Sequence, residues 1–326
     1  MDARDRIILG SRGSELALAQ ATMVKTALRK AWPKLEVAIE IIRTSGDEGR
    51  HRAPVIDRKA GRKGMFTREI EKELLVGRID VAVHSAKDLP SEQLDELDII
   101  ATLPRASTND VLVTKDGFGL RDVAPGATIA AGSIRRQRQL KWKRSDLKVT
   151  EVRGNVPTRL RKLAENSGWS GIILAQAGLE RLGIVSWTLP QPDLESELQP
   201  FETSQLKEMR YKFAPLTWED FLPAGGQGII ALQVRCADEY AKELLAAIDD
   251  RPTHLCLRAE REFLRLLNGD CDSPVGVQAQ FQPNEFQLRA QVFAEEDPAP
   301  CVGMVTHSEI DPEMIASELM RQMYGG

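Results

Sequence analysis

The chain has 326 residues, 42% of them hydrophobic, with 44 Lys and Arg against 48 Asp and Glu, which gives a formal net charge of −4 at pH 7. This length predicts two or three domains with cores of their own, and the ordinary glycine and proline content excludes a collagen-like, low-complexity or mainly disordered chain. No apolar run approaches the ~18–20 residues of a membrane span, and the charged start MDARDR predicts no secretory signal, so we expect a cytoplasmic protein without a membrane association.

The first hundred residues alternate short β-branched runs with helical patterns, which predicts βαβ units and a mostly parallel sheet with covered faces. The predicted strands are 6–9, 35–42 and 79–83. Between them, a helix over 67–76 is expected to bury Ile70 and Leu74. An earlier helix, which ends at Trp32-Pro33, is predicted to bury a face of small and apolar residues, namely Leu16, Ala19, Met23, Ala27 and Ala31.

A second unit of the same kind begins near Ser107. The stretch 186–220 interrupts the later pattern with four prolines, so we interpret it as an irregular surface insertion. Beyond about residue 251, the grouping of helices and alternating strand patterns predicts a small α+β domain. The predicted strands are 111–114, 128–131, 147–152, 171–174, 229–234, 278–282, 286–293 and 302–306, and the predicted helices are 134–142, 156–165, 239–248, 253–267 and a last helix at the end.

Basic residues are concentrated in segment 129–163, which carries eleven of them against two acids and therefore a net charge of +9, whereas the rest of the chain sums to −13. Arg135 and Arg136 follow one predicted strand and Arg153 follows another. Their guanidinium groups are therefore expected at the carboxyl ends of strands, where parallel sheets bind ligands. From the residue types alone, the segment fits a site for a small carboxylate or phosphate, a solvated helix face or a nucleic-acid footprint.

Two other strand ends carry polar or ionisable residues. The first predicted strand runs into Gly10-Ser11-Arg12-Gly13-Ser14, a turn with an arginine at its tip. The predicted strand 79–83 is followed by His84-Ser85-Ala86-Lys87-Asp88-Leu89-Pro90. An aspartate at this place is suited to act as a general acid or as a fixed anion beside a developing cation, and the structural alternative is a turn cap beside a surface ion pair.

Cysteine usage singles out one position. Cys236, Cys256, Cys271 and Cys301 form no CxxC pair and the four histidines are scattered, so we expect reduced thiols and no metal site. Cys271 lies in the polar turn NGDCDSPVG between a predicted helix and a predicted strand, where a thiol is accessible for covalent chemistry. From the residue types alone, an incidental loop cysteine is the alternative.

These segments, taken together, resemble the porphobilinogen deaminase (hydroxymethylbilane synthase) family over almost the whole chain. A shared fold alone would not require the Lys-Asp pair, the double arginine and the loop cysteine together. The resemblance is carried by GSRGSELALAQA at 10–21, RTSGD at 43–47, KGMFTREIEKELL at 63–75, DVAVHSAKDLP at 80–90, GSIRRQRQL at 132–140, VRGNVPTRLRKL at 152–163, ILAQAGLERLG at 173–183, LPAGGQG at 222–228 and the Cys271 loop.

The resemblance implies a transferase of tetrapyrrole and haem biosynthesis. Such an enzyme joins four porphobilinogen molecules head to tail, releases ammonia at each step and finally releases linear hydroxymethylbilane to water. The product is built on a dipyrromethane cofactor, which the resemblance attaches to Cys271 through a thioether. Asp88 matches the family's catalytic aspartate.

The resemblance also assigns binding residues. Each pyrrole ring carries an acetate and a propionate, and burying these carboxylates unpaired would be prohibitive, whereas bidentate guanidinium–carboxylate pairs compensate them. Arg138, Lys141, Lys143 and Arg144 match no binding position and are assigned to a solvated face. The cofactor-binding matches are Cys271, Lys87, Asp88, Ser133, Arg135, Arg136 and Arg159, and the substrate-binding matches are Arg12, Ser14, Ser85, Arg153, Arg181 and Lys63.

The fold implied by the resemblance is α/β, with two domains like those of periplasmic binding proteins and a small α+β C-terminal domain that carries the cofactor. The expected boundaries are 1–104 with 228–248, then 105–227 including the insertion 186–220, then 249–326. Two crossings of the chain between the first two domains predict a hinge. The chain departs from the family pattern at Ala131-Gly132, where hydroxyl residues are frequent, and in the middle of segment 105–110.

Two other functions fit parts of the pattern. A non-enzymatic intracellular anion receptor of the same two-domain type would explain the strand-end arginines, but the Cys271 loop and the absence of an export signal count against it. A nucleic-acid-binding protein would explain only segment 129–163. We therefore expect a monomeric enzyme whose partners are porphobilinogen and the growing polypyrrole chain, with neither nucleic acid nor membrane.

Overall fold

The described residues of the computed structural model form three β-sheets and the helices that cover them; they are 5–43, 67–115, 119–185, 211–218, 221–268, 273–282, 285–294, 297–308 and 310–325. The strands are β1 (Arg6–Arg12), β2 (Glu36–Ile42), β3 (Val81–Ser85), β4 (Leu97–Thr102), β5 (Asp110–Thr114), β6 (Thr128–Ala131), β7 (Lys148–Thr150), β8 (Gly171–Ala175), β9 (Lys212–Leu216), β10 (Ile230–Arg235), β11 (Val275–Gln282), β12 (Glu285–Val292) and β13 (Cys301–His307). The helices are α1 (Glu15–Ala31), α2 (Arg68–Leu75), α3 (Ile134–Lys143), α4 (Val156–Glu165), α5 (Gln176–Arg181), α6 (Glu239–Ala246), α7 (Arg251–Leu266) and α8 (Pro312–Tyr324), and a 3-10 turn covers Ala86–Asp88.

The first sheet has the strand order β2-β1-β3-β10-β4, in which β10 alone runs against the other four. Its core includes Ile7 of β1 together with Val24 and Leu28 of α1. The predicted buried face of α1 was wrong, because Met23 is 42% exposed and the helix buries Val24 and Leu28 instead. These two residues bring more apolar surface to the core than the alanines of the predicted face. The inward positions predicted for α2, Ile70 and Leu74, are confirmed.

The second sheet repeats this arrangement, with the order β7-β6-β8-β5-β9 and β5 as its reversed strand. Strand β9 lies inside the stretch 186–220, so the prediction of a wholly irregular insertion was wrong. Its Pro215 is compatible with a strand because β9 lies at the edge of the sheet, where proline is tolerated. The remaining part of that stretch, 186–210 with 219–220, lies outside the described residues.

The third sheet is an antiparallel meander of β11, β12 and β13. Its apolar face packs on α7 and α8, so that Phe263 of α7, Phe286 and Leu288 of β12 and Leu319 of α8 are completely buried. Because each helix presents one apolar stripe to one face of the sheet, the unit has a core of its own. The predicted small α+β unit is therefore confirmed.

Two connections join the first two sheets, because β10 returns to the first sheet after the second has been completed. In the first connection, the guanidinium group of Arg105 forms a bidentate ion pair with the completely buried Glu260 of α7, at N–O distances of 2.6 and 3.1 Å. The same carboxylate accepts the N–H groups of Gly226, in the second connection, at 2.6 Å and of Ala279, on β11, at 2.7 Å. Both connections and the third sheet therefore meet at one buried carboxylate.

The expected fold class is confirmed by the two α/β sheets of matching strand order and the separate α+β unit. Most predicted elements agree with the observed ones to within a few residues, whereas β4, β9 and α5 were not predicted. None of the helices in the described ranges combines the length and the apolarity that crossing a bilayer requires.

Candidate active site

The end of β1 places the first of the predicted site residues. Arg12 is the last residue of this strand, and Ser14 is the N-cap of α1. The Ser14 hydroxyl oxygen accepts the N–H of Ala17 at 3.3 Å, which compensates one of the free N–H groups at the start of the helix. The Ser14 oxygen is therefore used as an acceptor within α1. Its hydroxyl proton can still be donated to a ligand.

The adjacent strand, β3, ends in the predicted catalytic segment. Ser85 closes the strand, and its hydroxyl exchanges hydrogen bonds with the side-chain amide of the buried Gln20 at 2.9 and 3.0 Å. Lys87 and Asp88 form the 3-10 turn that follows, with Lys87 half-buried and Asp88 exposed. The turn therefore presents the Asp88 carboxylate beyond the end of the sheet, as the sequence predicted.

The second sheet contributes residues after β6, β7 and β8. Ser133 is the N-cap of α3 and accepts the N–H of Arg136 at 3.3 Å. Arg159 lies in the first turns of α4, and Arg181 is the last residue of α5, from which its Nη2 donates to the carbonyl of Gly228 at 2.6 Å. Arg153 is exposed, since its side chain is 64% accessible, and its Nε donates to Glu151 at 2.6 Å.

Both members of the double-arginine motif are buried and are already paired within the chain. Arg136 donates to Asp110 Oδ1 from Nε at 3.1 Å and from Nη2 at 2.6 Å, and Arg135 Nη2 lies 2.8 Å from Asp110 Oδ2. Burial alone would raise the pKa of Asp110, but the two guanidinium charges hold it well below its usual range. The carboxylate that both arginines pair with in the structure is Asp110, and their assignment as cofactor-binding residues stays a prediction.

Arg135 is also tied to the third sheet. Its Nη1 donates to Gln139 Oε1 at 2.8 Å and to the carbonyl of Leu222 at 2.7 Å. Gln139 is completely buried, and its Nε2 donates in turn to Gln291 Oε1 of β12 at 3.0 Å. This chain of hydrogen bonds connects Arg135, on α3 beside the second sheet, through Gln139 to β12 of the third sheet.

Lys87, Asp88, Arg136 and Arg159 form the charged centre of the site. Burial, with a further contribution from the charge of Arg136, lowers the pKa of Lys87 to about 8, while Asp88 acts in the opposite direction. Burial and Arg136 likewise lower the pKa of Arg159 to about 10, again against the effect of Asp88. The charges of the turn after β3 therefore act on those at the starts of α3 and α4.

Two arginines keep donors that no acceptor uses within the described part of the chain. Arg159 is half-buried and is bonded only through Nε, which donates to the carbonyl of Gly154 at 2.7 Å, so both of its Nη groups are available. Arg181 has a buried Nε without a partner, and burial lowers its pKa to about 10. A buried donor without an acceptor is costly, so these groups are suited to bind a ligand carboxylate.

Two predicted site residues, Cys271 and Lys63, lie outside the described residues. Their segments still have a position in the chain: the Cys271 loop joins α7 to β11, and Val277 of β11 donates its N–H to the carbonyl of Pro223 at 2.9 Å.

Burial raises the pKa of Cys256 to about 12, which disfavours its thiolate. Over the described ranges, no cluster of three or more His, Cys, Asp or Glu residues could hold a metal ion.

The sequence analysis missed residues that hold the site together. Asp110 begins the apolar strand DVLVT, and a charge in a completely buried strand requires a partner, which was the available signal. Gln227, which bonds the Asp110 carboxylate at 3.0 Å and the carbonyl of Thr108 at 2.6 Å, carried no such signal. Arg144 was assigned to a solvated face, but its guanidinium group donates to the carbonyls of Leu120 and Val123 and so fixes a loop.

Comparisons with known proteins show one family over most of the chain. Residues 7–243 match the family profile "Porphobilinogen deaminase, dipyromethane cofactor binding domain", and residues 254–324 match "Porphobilinogen deaminase, C-terminal domain". A porphobilinogen deaminase of Syntrophobacter fumaroxidans is 39% identical, with 88% of this chain and 84% of that protein covered. One of Roseiflexus sp. is 38% identical, with 98% and 97% covered. The crystal structure of the methionine binding protein MetQ overlaps at a TM-score of 0.41 and 12% identity, over 75% of this chain and 90% of that chain, which supports no argument about function.

Proposed function

Because the chain belongs to the porphobilinogen deaminase family of transferases, we propose that its residues carry out the stepwise condensation of four porphobilinogen molecules, with loss of ammonia at each step and final hydrolytic release of hydroxymethylbilane. The observation that carries this proposal is the charged centre, in which an exposed carboxylate, Asp88, lies among the cations Lys87, Arg136 and Arg159. Porphobilinogen fits such a site because it combines two carboxylates with an amine that leaves.

The residues present fit the dipyrromethane cofactor whose binding domain matches residues 7–243. The group is acidic, and the site offers the unpaired donors of Arg159 and Arg181, the ammonium of Lys87 and the Ser133 hydroxyl. We assign its thioether anchor to Cys271, whose loop leads into β11. When bound, the cofactor supplies the pyrrole carbon to which the first substrate molecule is joined.

Asp88 is proposed as the catalytic residue. Loss of ammonia from the substrate leaves a cationic pyrrole ring, and a carboxylate beside the ring nitrogen stabilises that charge. The same carboxylate can exchange a proton with the leaving amine. Within the described residues Asp88 has neither a hydrogen bond nor an ion pair, so both of its oxygens are available to the substrate.

The cations divide into two groups in this proposal. Arg159 and Arg181 bind carboxylates directly through donors that are available among the described residues. Lys87 binds them through the charge of its ammonium group. Arg135 and Arg136 share the carboxylate of Asp110, so the three side chains together add one positive charge and act on the cofactor mainly through its field. The proposed further substrate contacts, assigned by position in the chain, are Arg12, Ser14, Ser85, Arg153 and Lys63.

Substrate binding is expected to weaken as the pH rises through about 8, the value to which burial lowers the pKa of Lys87. Below this pKa the ammonium attracts carboxylates, and above it the charge is lost, while Arg159 remains charged up to about 10. The KM for porphobilinogen should therefore rise above pH 8, by at most about tenfold per pH unit. Lys87→Arg keeps the charge and should remove this rise, and equal pH profiles of the two proteins would exclude Lys87 as a carboxylate ligand.

The intact mass of the purified protein tests the proposed function most directly. We expect an adduct of two pyrrole units on the wild-type chain, and the mass of the plain chain together with loss of activity in Cys271→Ser. The exposed Cys236 provides the matched control, since Cys236→Ser should retain both the adduct and the activity. An anion receptor of the same fold would instead show the plain mass in every variant and would bind without releasing ammonia.

Oligomeric state, location and domain division complete the proposal. We propose a cytoplasmic monomer that acts on porphobilinogen and the growing polypyrrole chain, with no nucleic acid or membrane partner. Arg135, Arg136 and Arg144 support the exclusion of nucleic acid, because their guanidinium groups are used inside the chain. The domains are proposed to be 1–104 with 228–248, then 105–227, then 249–326, with the two connections as the hinge.

A further inference from the structure

We infer that Gly226 and Leu257 are positioning residues, which support the backbone of the turn Ala86–Asp88 and thereby fix where the two charged side chains of that turn lie. Together with Ile229 they form what we call the turn support. The consequence for catalysis rests on the proposed function, whereas the contacts are those of the described residues, so the two can be tested separately.

The turn buries its first residue and the residue that follows it. A 3-10 turn repeats every three residues, so Ala86 and Leu89 lie on the same side of it. Both are buried, and Leu89 donates its N–H to the carbonyl of Ala86 at 3.2 Å. Between them, Lys87 is half-buried and Asp88 is exposed. The positions of the two charges therefore depend on what Ala86 and Leu89 pack against.

Gly226 is held in place through both of its backbone groups. Its N–H donates to Glu260 of α7 at 2.6 Å, and its carbonyl accepts the N–H of Ile229 at 3.1 Å. The Ile229 carbonyl accepts in turn the N–H of Ala86 at 3.0 Å. Because Glu260 is completely buried and paired with Arg105, Gly226 cannot withdraw from the turn without breaking these bonds.

The backbone of the turn lies against the bare α-carbon of Gly226. A β-carbon added there would lie 2.9 Å from the carbonyl carbon and the β-carbon of Ala86, and 2.9 Å from the backbone nitrogen of Lys87. Non-bonded heavy atoms require about 3.5–4.0 Å. Two of these three contacts are with backbone atoms, which move only when the turn itself moves. A side chain at position 226 therefore displaces the turn.

Leu257 supports the same turn from its apolar side. This residue of α7 is 1% exposed and belongs to one buried cluster with Ala86, Leu89 and Ile229. Truncating Leu257 leaves a cavity in the cluster, and the surrounding residues relax into such a cavity only in part. The two positions therefore test the turn support in opposite ways, because one variant adds an atom against the turn and the other removes atoms beneath it.

Gly77 separates the contact at Gly226 from its backbone conformation. Gly226 has a φ of +73°, so any other residue there is strained even before it meets the turn. Gly77 has a φ of +75°, but a β-carbon added to it would meet no atom within 4 Å. Gly77→Ala therefore has the conformational cost alone, whereas Gly226→Ala has both effects.

The first test is ammonia release by the holoenzyme, at a temperature at which the compared variants are folded. We expect Gly226→Ala to lower kcat about 10²-fold, which is the effect of displacing a reacting group by about 1 Å. Gly77→Ala should lower the Tm and keep the wild-type kcat. A kcat of Gly226→Ala no lower than that of Gly77→Ala would overturn the inference. If Gly226→Ala does not fold, the truncation of Leu257 decides.

The second test compares Leu257→Ala with Leu319→Ala, its matched control. Leu319 is completely buried in the core of the third unit, so both variants should lower the Tm. Only Leu257→Ala should also lower kcat, by at least about threefold, because only this cavity lies beneath the turn. Equal kcat values would show a merely structural role and would overturn the inference. If either alanine variant does not fold, Leu257→Val and Leu319→Val decide by the same criterion.

Hydrogen exchange of segment 84–90 reports on the turn without requiring turnover. We expect faster exchange in Gly226→Ala and Leu257→Ala than in their controls, since the N–H groups of Ala86 and Leu89 are bonded in or beside the turn support. Unchanged exchange in both variants would overturn the inference. A wild-type protein that releases no ammonia would instead overturn the proposed function and leave this comparison readable.

Discussion

The Asp88→Asn variant is expected to keep the wild-type Tm and the covalent adduct but to release ammonia about 10²–10⁴-fold more slowly. The amide has nearly the shape of the carboxylate, yet it neither transfers the proton nor compensates the charge that develops on the pyrrole ring. Folding is independent of this position because Asp88 is exposed and unpaired among the described residues. Ammonia release, intact mass and thermal unfolding, measured on the same preparation, separate these effects.

Asp98→Asn is the matched control. Asp98 is an exposed aspartate on β4 in the same unit, and its substitution changes the net charge by the same amount away from the strand-end turn. Ammonia release should remain at the wild-type level in this variant. The assignment of Asp88 fails if Asp88→Asn retains more than about a tenth of the wild-type rate, since a general acid contributes at least ~10²-fold.

Arg105→Leu is expected to lower the free energy of unfolding by about 3–5 kcal/mol, because it leaves a buried charge without its partner. The Glu260 carboxylate is completely buried, and among the described residues it would keep only the N–H donors of Gly226 and Ala279 without Arg105. The loss should appear in denaturant unfolding. It should also loosen both connections between the first two sheets, which hydrogen exchange at 103–109 and 221–229 would detect.

A second ion pair on α7, with similar geometry but exposed to solvent, provides the control. Arg258 of α7 also forms a bidentate pair, with Glu313, at 2.9 and 3.0 Å, but both side chains are about half exposed. Arg258→Leu is expected to cost no more than about 1 kcal/mol. Equal losses for the two arginines would contradict the importance of burial at Glu260.

Local patterns predicted most of the fold because strands and helices follow from residue spacing. The helix α4, for example, begins and ends where its apolar spacing indicates. Strand β9 was missed because Pro215 suggested a loop, and only the position of the strand at the edge of the sheet makes the proline compatible. Edge position is a property of the assembled sheet, which the local sequence does not contain.

The site was predictable in its location and less so in its internal pairing. Strand ends indicated where Lys87 and Asp88 lie, since the carboxyl ends of parallel strands share one edge of a sheet. Arg159 was assigned by the resemblance alone. The partner of Arg135 and Arg136 is Asp110, on another strand, and such a contact between distant parts of the chain leaves no periodic signal. The resemblance predicts which arginines bind ligands, and the structure distinguishes Arg159, whose Nη groups are available among the described residues, from Arg135 and Arg136, which are paired with Asp110.

The strand order of the first sheet has a consequence for synthesis on the ribosome. Strand β10 lies between β3 and β4, so these two strands lack their common neighbour until residues 230–235 have been made. The second sheet uses only strands from residues 110–216 and is complete earlier. Domains generally fold as units during translation, so the part of the chain that emerges first should finish folding second, and its unpaired strand edges need protection until β10 arrives.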